Sequence, residues 1–413
     1  MLVKMLRLPL ALATTRAAIF EPFVWPSTPP VDAPFAPSAV FSSVEFAGEY
    51  AAYEGADTWY PSWARDGSMV TPWTDGGVQG ASSDSGCAPD GCLSTTGFAT
   101  VLGDDPRALN VTRVGTFASG VDPYRGRYPC GSLIHNGTWF YGTYLLDNEN
   151  HEVGSNAAGY CENWCVQGPF VGFRTSTDLG ETWDEPRVNM TSWSDNIFGE
   201  AAPDNHTKVK FGAPHVVDFG RELEHSPDGK LYIVGHGASS AYSPHSWMQG
   251  SEVYLARCAP TAAAVRDLGA WEFWTGDAWA AGAAGVAAAR PIVSWANRTG
   301  VVTATWLPAV GRFLMAVSTP TFSPFTERAF DTYFLEAEAL TGPWHMISYL
   351  GQFGPQSYFV NVPSKFVNAT RAADGSLELW LSYSANFANN SLSKTNPPGS
   401  GYHWTLSKVR LHP

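Results

Sequence analysis

One pattern recurs five times along these 413 residues: an apolar run, a tight turn, and a second run rich in aromatic or aliphatic side chains. The copies lie at 59–73, 128–144, 213–235, 303–318 and 362–383. Their turns carry Asp66-Gly67, Asn136-Gly137, Asp228-Gly229, Gly311 and Asp374-Gly375. Asn-Gly and Asp-Gly are strong hairpin signals because both residues tolerate positive φ. Further strand-like runs follow each hairpin, at 97–102 and 111–117, at 170–175 and beyond Trp183, at 253–258 and 271–274, at 332–337 and 344–350, and at 402–411. The spacing predicts an all-β chain, a five-bladed β-propeller of four-stranded antiparallel blades over 45–413. The turns are roughly 60 to 90 residues apart. That exceeds the ~40–45 of a regular propeller repeat, so the excess falls in long loops.

Composition fits this reading. Charged residues make up only 15% while Gly (40) and Pro (30) are frequent, which favours turns over charged helix faces. A net charge of −13, with no run of Lys and Arg, excludes a nucleic-acid partner. Seven N-x-S/T sequons, at Asn110, Asn136, Asn189, Asn205, Asn297, Asn368 and Asn389, point to a secreted glycoprotein. Cys87/Cys92 and Cys161/Cys165 are close pairs suited to small disulfide loops, with Cys130 and Cys258 left over. A zinc site is the competing reading, but no His pair stands at ligand spacing. Residues 1–20, with Lys4 and Arg7 ahead of a short apolar run, read as a signal peptide or anchor. No stretch reaches the ~20 apolar residues of a membrane span. The Pro-rich stretch 21–44 reads as an extended linker. A monomer is expected.

Strand direction separates two faces. Each first strand runs down the central channel, so the Asp-Gly turns share the bottom face. The acidic cluster Asp218, Glu222, Glu224, His225 and Asp228 falls there and reads as a solvated loop or a structural ion site. The top face receives the long loops 74–96, 146–168, 237–251, 319–330 and 385–401, where function is expected. Top-face candidates are Asp57 before the first channel strand, Asp75 and Asp147 closing second strands, and Glu162 between Cys161 and Cys165. Arg127, His215, Tyr358, Asn361 and Lys365 belong to channel strands, and Trp59, Trp164 and Trp306 offer stacking surfaces. Carboxylates beside aromatics suit a sugar, whose ring presents C–H faces and hydroxyls. The plainer readings are strand caps for Asp57 and Asp75, charge partners for Arg127 and Lys365, and inter-blade packing for the aromatics.

The segment Ser176-Thr-Asp-Leu-Gly-Glu-Thr-Trp183 matches the Asp-box S-x-D-x-G-x-T-W and resembles those of sialidases. There the box is structural. Asp57 with its strand, the Asp66-Gly67 turn and Thr74-Asp75-Gly76 resemble the first blade of five-bladed propeller glycosidases, the arabinanase and β-xylosidase group and its fructosidase relatives. Ala213-Pro214-His215 and the run PDGKLYIVGHG resemble their third blade, and Leu340 to Trp344 (LTGPW) a turn frequent among them. The resemblance implies a glycoside hydrolase with Asp57 as general base. It also implies a general-acid Glu just before the third-blade Gly/Ala-Pro, where this chain has Phe211-Gly212. The acid then falls to Glu162 or Asp147. Asp75, Trp59, Arg127, His215, Trp306, Tyr358, Asn361 and Lys365 would bind an oligo- or polysaccharide, an acidic one if Arg127 and Lys365 take part. No cofactor is required, and a structural calcium would suit the channel. The alternatives are a non-catalytic glycan-binding propeller and a sialidase-like hydrolase.

Overall fold

The computed structural model describes residues 16–85, 94–118, 127–147, 166–184, 195–200, 209–237, 249–320, 330–353, 357–385 and 397–413. The strand-like runs of the sequence among the described residues become antiparallel β-structure, except that the fifth copy's first strand lies before Val362 rather than after it and a 3-10 turn spans Ser364–Phe366; the run beyond Trp183 lies outside the described residues. The chain opens with β1 (Arg16–Ile19), β2 (Phe23–Val24) and β3 (Ser43–Ala52). A first group follows: β4 (Gly55–Asp57), β5 (Ser62–Trp63), β6 (Met69–Val78), β7 (Ala81–Ser83), β8 (Thr95–Leu102) and β9 (Asn110–Ala118). Next come β10 (Arg127–His135), β11 (Thr138–Asp147) and β12 (Val166–Ser176). The middle of the chain holds β13 (Gly212–Val216), β14 (Leu231–Gly237), β15 (Gly250–Cys258), β16 (Glu272–Trp274), β17 (Trp279–Ala281), helix α1 (Gly282–Ala288) and β18 (Val293–Thr299). The last strands are β19 (Val301–Leu307), β20 (Arg312–Pro320), β21 (Phe330–Ala337), β22 (His345–Leu350), β23 (Ser357–Asn361), β24 (Leu377–Ala385) and β25 (Thr405–His412).

Pairing follows chain order within each group, β4/β5–β6–β8–β9, β10–β11–β12, β13–β14–β15 and β19–β20–β21–β22. The second and third groups are joined by the single pair Pro169–Gly212. The last sheet is completed from the other end of the chain, because β3 pairs with β25 from Ser43–His412 to Ala52–Thr405. The first strands of successive groups touch in series: β5 meets β10, β10 meets β13, β13 meets β19 and β19 meets β23, while β24, which follows β23, meets β4. Two glycines show why such packing needs their lack of a side chain. A Cβ on Gly131 of β10 would stand 2.3 Å from the Val216 nitrogen of β13. Gly137, at φ 75° beside Asn136 at φ 49°, closes the β10–β11 hairpin in the conformation the Asn-Gly pair predicts.

Between the first two groups, Trp139, Tyr141, Phe98 and Phe117 surround Trp183. Trp183 is held there by the turn before it. Ser176 Oγ accepts from Gly180 N at 2.8 Å, and Asp178 accepts from Thr182 N at 2.9 Å and Thr182 Oγ1 at 2.6 Å. These bonds hold the half-buried Asp178 carboxyl down at about 2. Between the second and third groups, Phe198 packs edge-on against Phe211, Trp271 and Phe273.

The stretch expected as a linker is packed instead. β2 pairs with β3, Trp25 and Phe41 are buried, and bridges join Ser27 to Leu350 and Pro37 to Met346. Its aromatic side chains supply the burial that a solvated linker lacks. The Ala-rich run 280–289 is α1 over most of its length. Cys130 and Cys258 are both buried and free, so they do not pair with each other, while Cys87, Cys92, Cys161 and Cys165 lie outside the described residues. No helix among the described residues is long and apolar enough to cross a membrane.

Candidate functional site

Asp57 closes β4 opposite Thr74 of β6, and Thr58 follows it at φ 59°. That left-handed residue breaks the strand between β4 and β5. The Thr58 hydroxyl steadies the break by donating to the Asp57 carbonyl at 2.7 Å. The Asp57 side chain is 5% exposed. Its Oδ2 accepts a hydrogen bond from the Tyr358 hydroxyl of β23, and the Tyr402 hydroxyl lies 3.3 Å away. Its Oδ1 has no hydrogen-bond partner among the described residues. Burial, and then the nearby Asp75 carboxylate, hold the Asp57 carboxyl well above the usual range, against the lowering effect of the tyrosines.

Asp75 sits on β6 at φ 49°, a backbone turned by the irregular end of that strand. Its Oδ1 accepts from Ser85 N at 2.7 Å and from the Thr74 hydroxyl at 3.2 Å. Burial pushes it up to about 6. The Tyr402 hydroxyl also donates to the Asp75 carbonyl, so one tyrosine ties the two aspartates together. Arg127 lies beside this group. Its amide donates to the Ser85 carbonyl at 3.1 Å, and its buried guanidinium bonds Thr143 Oγ1 at 3.1 Å.

The structure brings together Asp57, Asp75, Tyr358 and Arg127, with His215 alongside. His215 packs its ring on Tyr60 at 4.2 Å and lines a cavity of about 40 Å³ with Gly131, Thr303 and Asn361; the cavity runs on to Asp218 and Phe219, and Asp57, Asp75, Tyr358 and Arg127 lie outside its lining. Asn361 ties β23 to the first group, donating to Trp59 O at 2.9 Å and Phe359 O at 2.8 Å. Three candidates are elsewhere or engaged in packing. Trp59 is 1% exposed and stacks on Trp404 at 5.0 Å, so it is core rather than a platform. Trp306 packs on Phe313 at 4.7 Å at the far end of β19. The Lys365 ammonium also lies at the far end, against Gly67 O in the hairpin turn, Gly103 O at 2.7 Å and Asp104 at 2.9 Å. Glu162, Trp164 and the Asp147 side chain lie outside the described residues.

The acidic cluster of the β13–β14 connection is consumed by local contacts. Asp218 accepts from Gly220 N and Ser364 N, Glu222 pairs with Arg65 at 2.7 Å, and Asp228 pairs with Arg257 at 3.1 Å. Among the described residues no three His, Cys, Asp or Glu side chains gather to hold a metal ion.

A further carboxyl was not legible in the sequence. Glu200 is buried, and its two oxygens accept from Lys210 N at 2.8 Å and Phe211 N at 3.1 Å. Its carboxyl therefore stands directly before Gly212-Ala213-Pro214, although Glu200 itself is ten residues before Lys210 in the chain. The local turn is built by Asn196, whose Oδ1 accepts from Phe198 N and Glu200 N. The apolar pair Ile197-Phe198 is the one trace of it in the sequence, since a buried aromatic anchors the turn. Lys210 sends its ammonium to the last carbonyls of α1, at 2.7 Å from Val286 O and 3.0 Å from Ala287 O. Burial pushes the Glu200 carboxyl up to about 7, against the two amides and the Lys210 charge.

This has a consequence for stability. A carboxyl raised on folding holds its proton longer in the native state, so the protein loses stability as pH rises from the ordinary value of 4.5 through about 7. For Glu200 that loss is about 3 kcal/mol. Asp57 and Asp75 act with the same sign. Glu200→Gln is expected to flatten the fall in melting temperature between pH 4.5 and 7.5; an unchanged slope would show that Glu200 does not titrate there.

No family model and no curated protein matches this chain. Solved structures similar to it include a protein of unknown function from Dyadobacter fermentans (11% identity, TM-score 0.42, covering 96% of this chain and 99% of that one). Another is an alpha-L-arabinofuranosidase from Podospora anserina in complex with cellotriose (8%, 0.42, 94% and 97%). A third is an exo-1,5-alpha-L-arabinanase from a bovine ruminal metagenomic library (13%, 0.41, 86% and 93%). Likeness at this level decides neither architecture nor activity, and the functional reading rests on the site itself.

Proposed function

We propose that this chain is a five-bladed β-propeller, closed by the N-terminal strand, whose central site hydrolyses a glycosidic bond. The observation that carries the reading is the Asp57 carboxyl, buried, held at one oxygen by tyrosines and left open at the other. The series of contacts among first strands, with β24 meeting β4, supports the propeller, because it joins the last group back to the first.

In its ionised form, which the Tyr358 and Tyr402 bonds favour against burial, Asp57 Oδ1 accepts the proton of a water as that water bonds to the anomeric carbon. The bond from that carbon to the leaving oxygen breaks, and Glu200 gives its proton to the leaving oxygen. A carboxyl near 7 is still substantially protonated at neutral pH, as a general acid must be. Asp75 stands behind Asp57 and raises its basicity through the negative charge it carries. An inverting outcome corresponds to acid and base ~6.5–9.5 Å apart, a retaining one to ~5–5.5 Å.

Glu200 replaces Glu162 and Asp147 as the acid in this proposal, because its carboxyl is fixed by two amides at the start of β13. The test is the leaving group. Glu200→Gln is expected to slow hydrolysis of ordinary oligosaccharides by ~10²–10⁴-fold. Aryl glycosides whose leaving oxygen needs no proton should lose little. Equal losses on both substrates would remove Glu200 from the acid role.

A further inference from the structure

Asn110, Asn136, Asn297 and Asn368 are the sequon asparagines among the described residues, and the structure separates them. Asn136 is exposed, but its amide is taken: Nδ2 bonds His135 Nε2 at 2.9 Å, and Oδ1 accepts from Arg65 at 2.9 Å. Asn297 is half-buried at φ 57°, and its Oδ1 accepts from Ser251 at 3.5 Å. Asn110 and Asn368 are exposed, and no such bond holds either side chain among the described residues.

Asn110 has a second feature. It opens β9, the outer strand of its group, directly opposite Leu102 of β8. Facing residues of an antiparallel pair project from the same side, with Cβ atoms ~5 Å apart. The adjoining pair Val101–Val111 is buried, so Leu102 and Asn110 project outward, and Leu102 is 42% exposed. An acceptor amide and an apolar side chain thus share one patch. A sugar ring carries apolar C–H faces, so the first residue of a glycan on Asn110 has Leu102 within reach.

Both open sequons stand away from Asp57. Asn110 lies next to the Met69–Val101 pair at the start of β6, whereas Asp57 pairs with Thr74 in its second half. At ~3.3 Å per residue the two places are roughly 17 Å apart along the strand. Asn368 follows Lys365, whose ammonium reaches Gly67 O and Gly103 O in the turns at that same start of β6. We propose that Asn110 and Asn368 are N-glycosylation sites, and that the first sugar on Asn110 packs on Leu102. In the transfer, the side-chain amide nitrogen bonds to the anomeric carbon of an oligosaccharide carried on a polyprenyl diphosphate. The bond from that carbon to the phosphate oxygen breaks, the diphosphate leaves with the electron pair, and the amide gives up one proton. The proposal rests on the secretory reading of residues 1–20 and is independent of the hydrolase reading.

The experiment expresses the full chain in a eukaryotic host as wild type, Asn110→Gln and Leu102→Ser. Peptide-N-glycosidase in heavy-oxygen water then labels every asparagine that carried a glycan, and the peptides are mapped by mass. Label is expected at positions 110 and 368 of the folded wild type and not at 136, where a glycan would displace Arg65 and His135. Asn110→Gln should lose one glycan's mass and melt as wild type does once both are deglycosylated. Absence of label at 110 or 368 overturns that site, and label at 136 overturns the selection among sequons. Melting of intact and deglycosylated samples tests Leu102. Deglycosylation should lower the melting temperature by about 1–2 °C more in wild type than in Leu102→Ser. Equal drops overturn the packing of the glycan on Leu102.

Discussion

Asp57→Asn is expected to cut hydrolysis by ~10²–10⁴-fold, the usual worth of a general base, while leaving the fold in place. The amide keeps the shape of the carboxyl and can still accept from the Tyr358 hydroxyl, so the contact to β23 survives. It cannot take the proton of a water. Stability should hold or rise. Burial raises the Asp57 carboxyl, so its ionisation works against the folded state above the ordinary carboxylate range, and the neutral amide removes that cost. Activity and melting temperature measured on one preparation separate the two effects. Loss of activity at an unchanged or higher melting temperature supports the role. Retained turnover removes Asp57 from the chemistry.

Phe46→Ala is expected to carry the largest stability effect, about 3–5 kcal/mol. Phe46 is fully buried on β3, the strand that completes the sheet of β23–β25. Its ring stacks on Phe23 at 5.4 Å and meets Trp25 at 5.5 Å and Phe353 at 5.8 Å. It thus joins the start of the chain to its last sheet, and no covalent bond among the described residues does that work. A large-to-small change there removes contacts on both sides of the seam. The urea midpoint should fall with little change in slope. Ile19 is the control: it is 87% exposed on the neighbouring β1, and Ile19→Ala should stay within about 0.5 kcal/mol. Similar effects for both would mean that the seam does not hold the protein closed.

What the sequence made legible was local. Asn136-Gly137 specifies its turn through the φ preferences of two residues, and the Ser176–Trp183 turn through three short side chains and a glycine. The position of Asp57 at the end of a short strand before the Asp66-Gly67 hairpin was legible from the run that follows it. What stayed hidden depends on partners far away in the chain. Trp59 looked like an exposed platform, yet Trp404 covers it. Lys365 looked like a substrate ligand, yet it reaches the carbonyls of Gly67, in a hairpin turn, and Gly103. The role of β3 was missed because its partner strand is near the opposite terminus. Arg410 meets Glu45 at 3.3 Å across a separation of 365 residues. Glu200 was missed because its carboxyl is delivered to the start of β13 by a turn ten residues upstream.

The central claim is that Asp57 and Glu200 act on one glycosidic bond. Product analysis tests it most directly: wild type, Asp57→Asn and Glu200→Gln are incubated with a panel of neutral oligosaccharides, and new reducing ends are followed over time. The account predicts release by wild type from at least one member, near-complete loss in Asp57→Asn, and loss in Glu200→Gln that an aryl leaving group restores. A sugar that binds the wild type tightly and is recovered uncleaved would contradict it, and would make this protein a glycan-binding one.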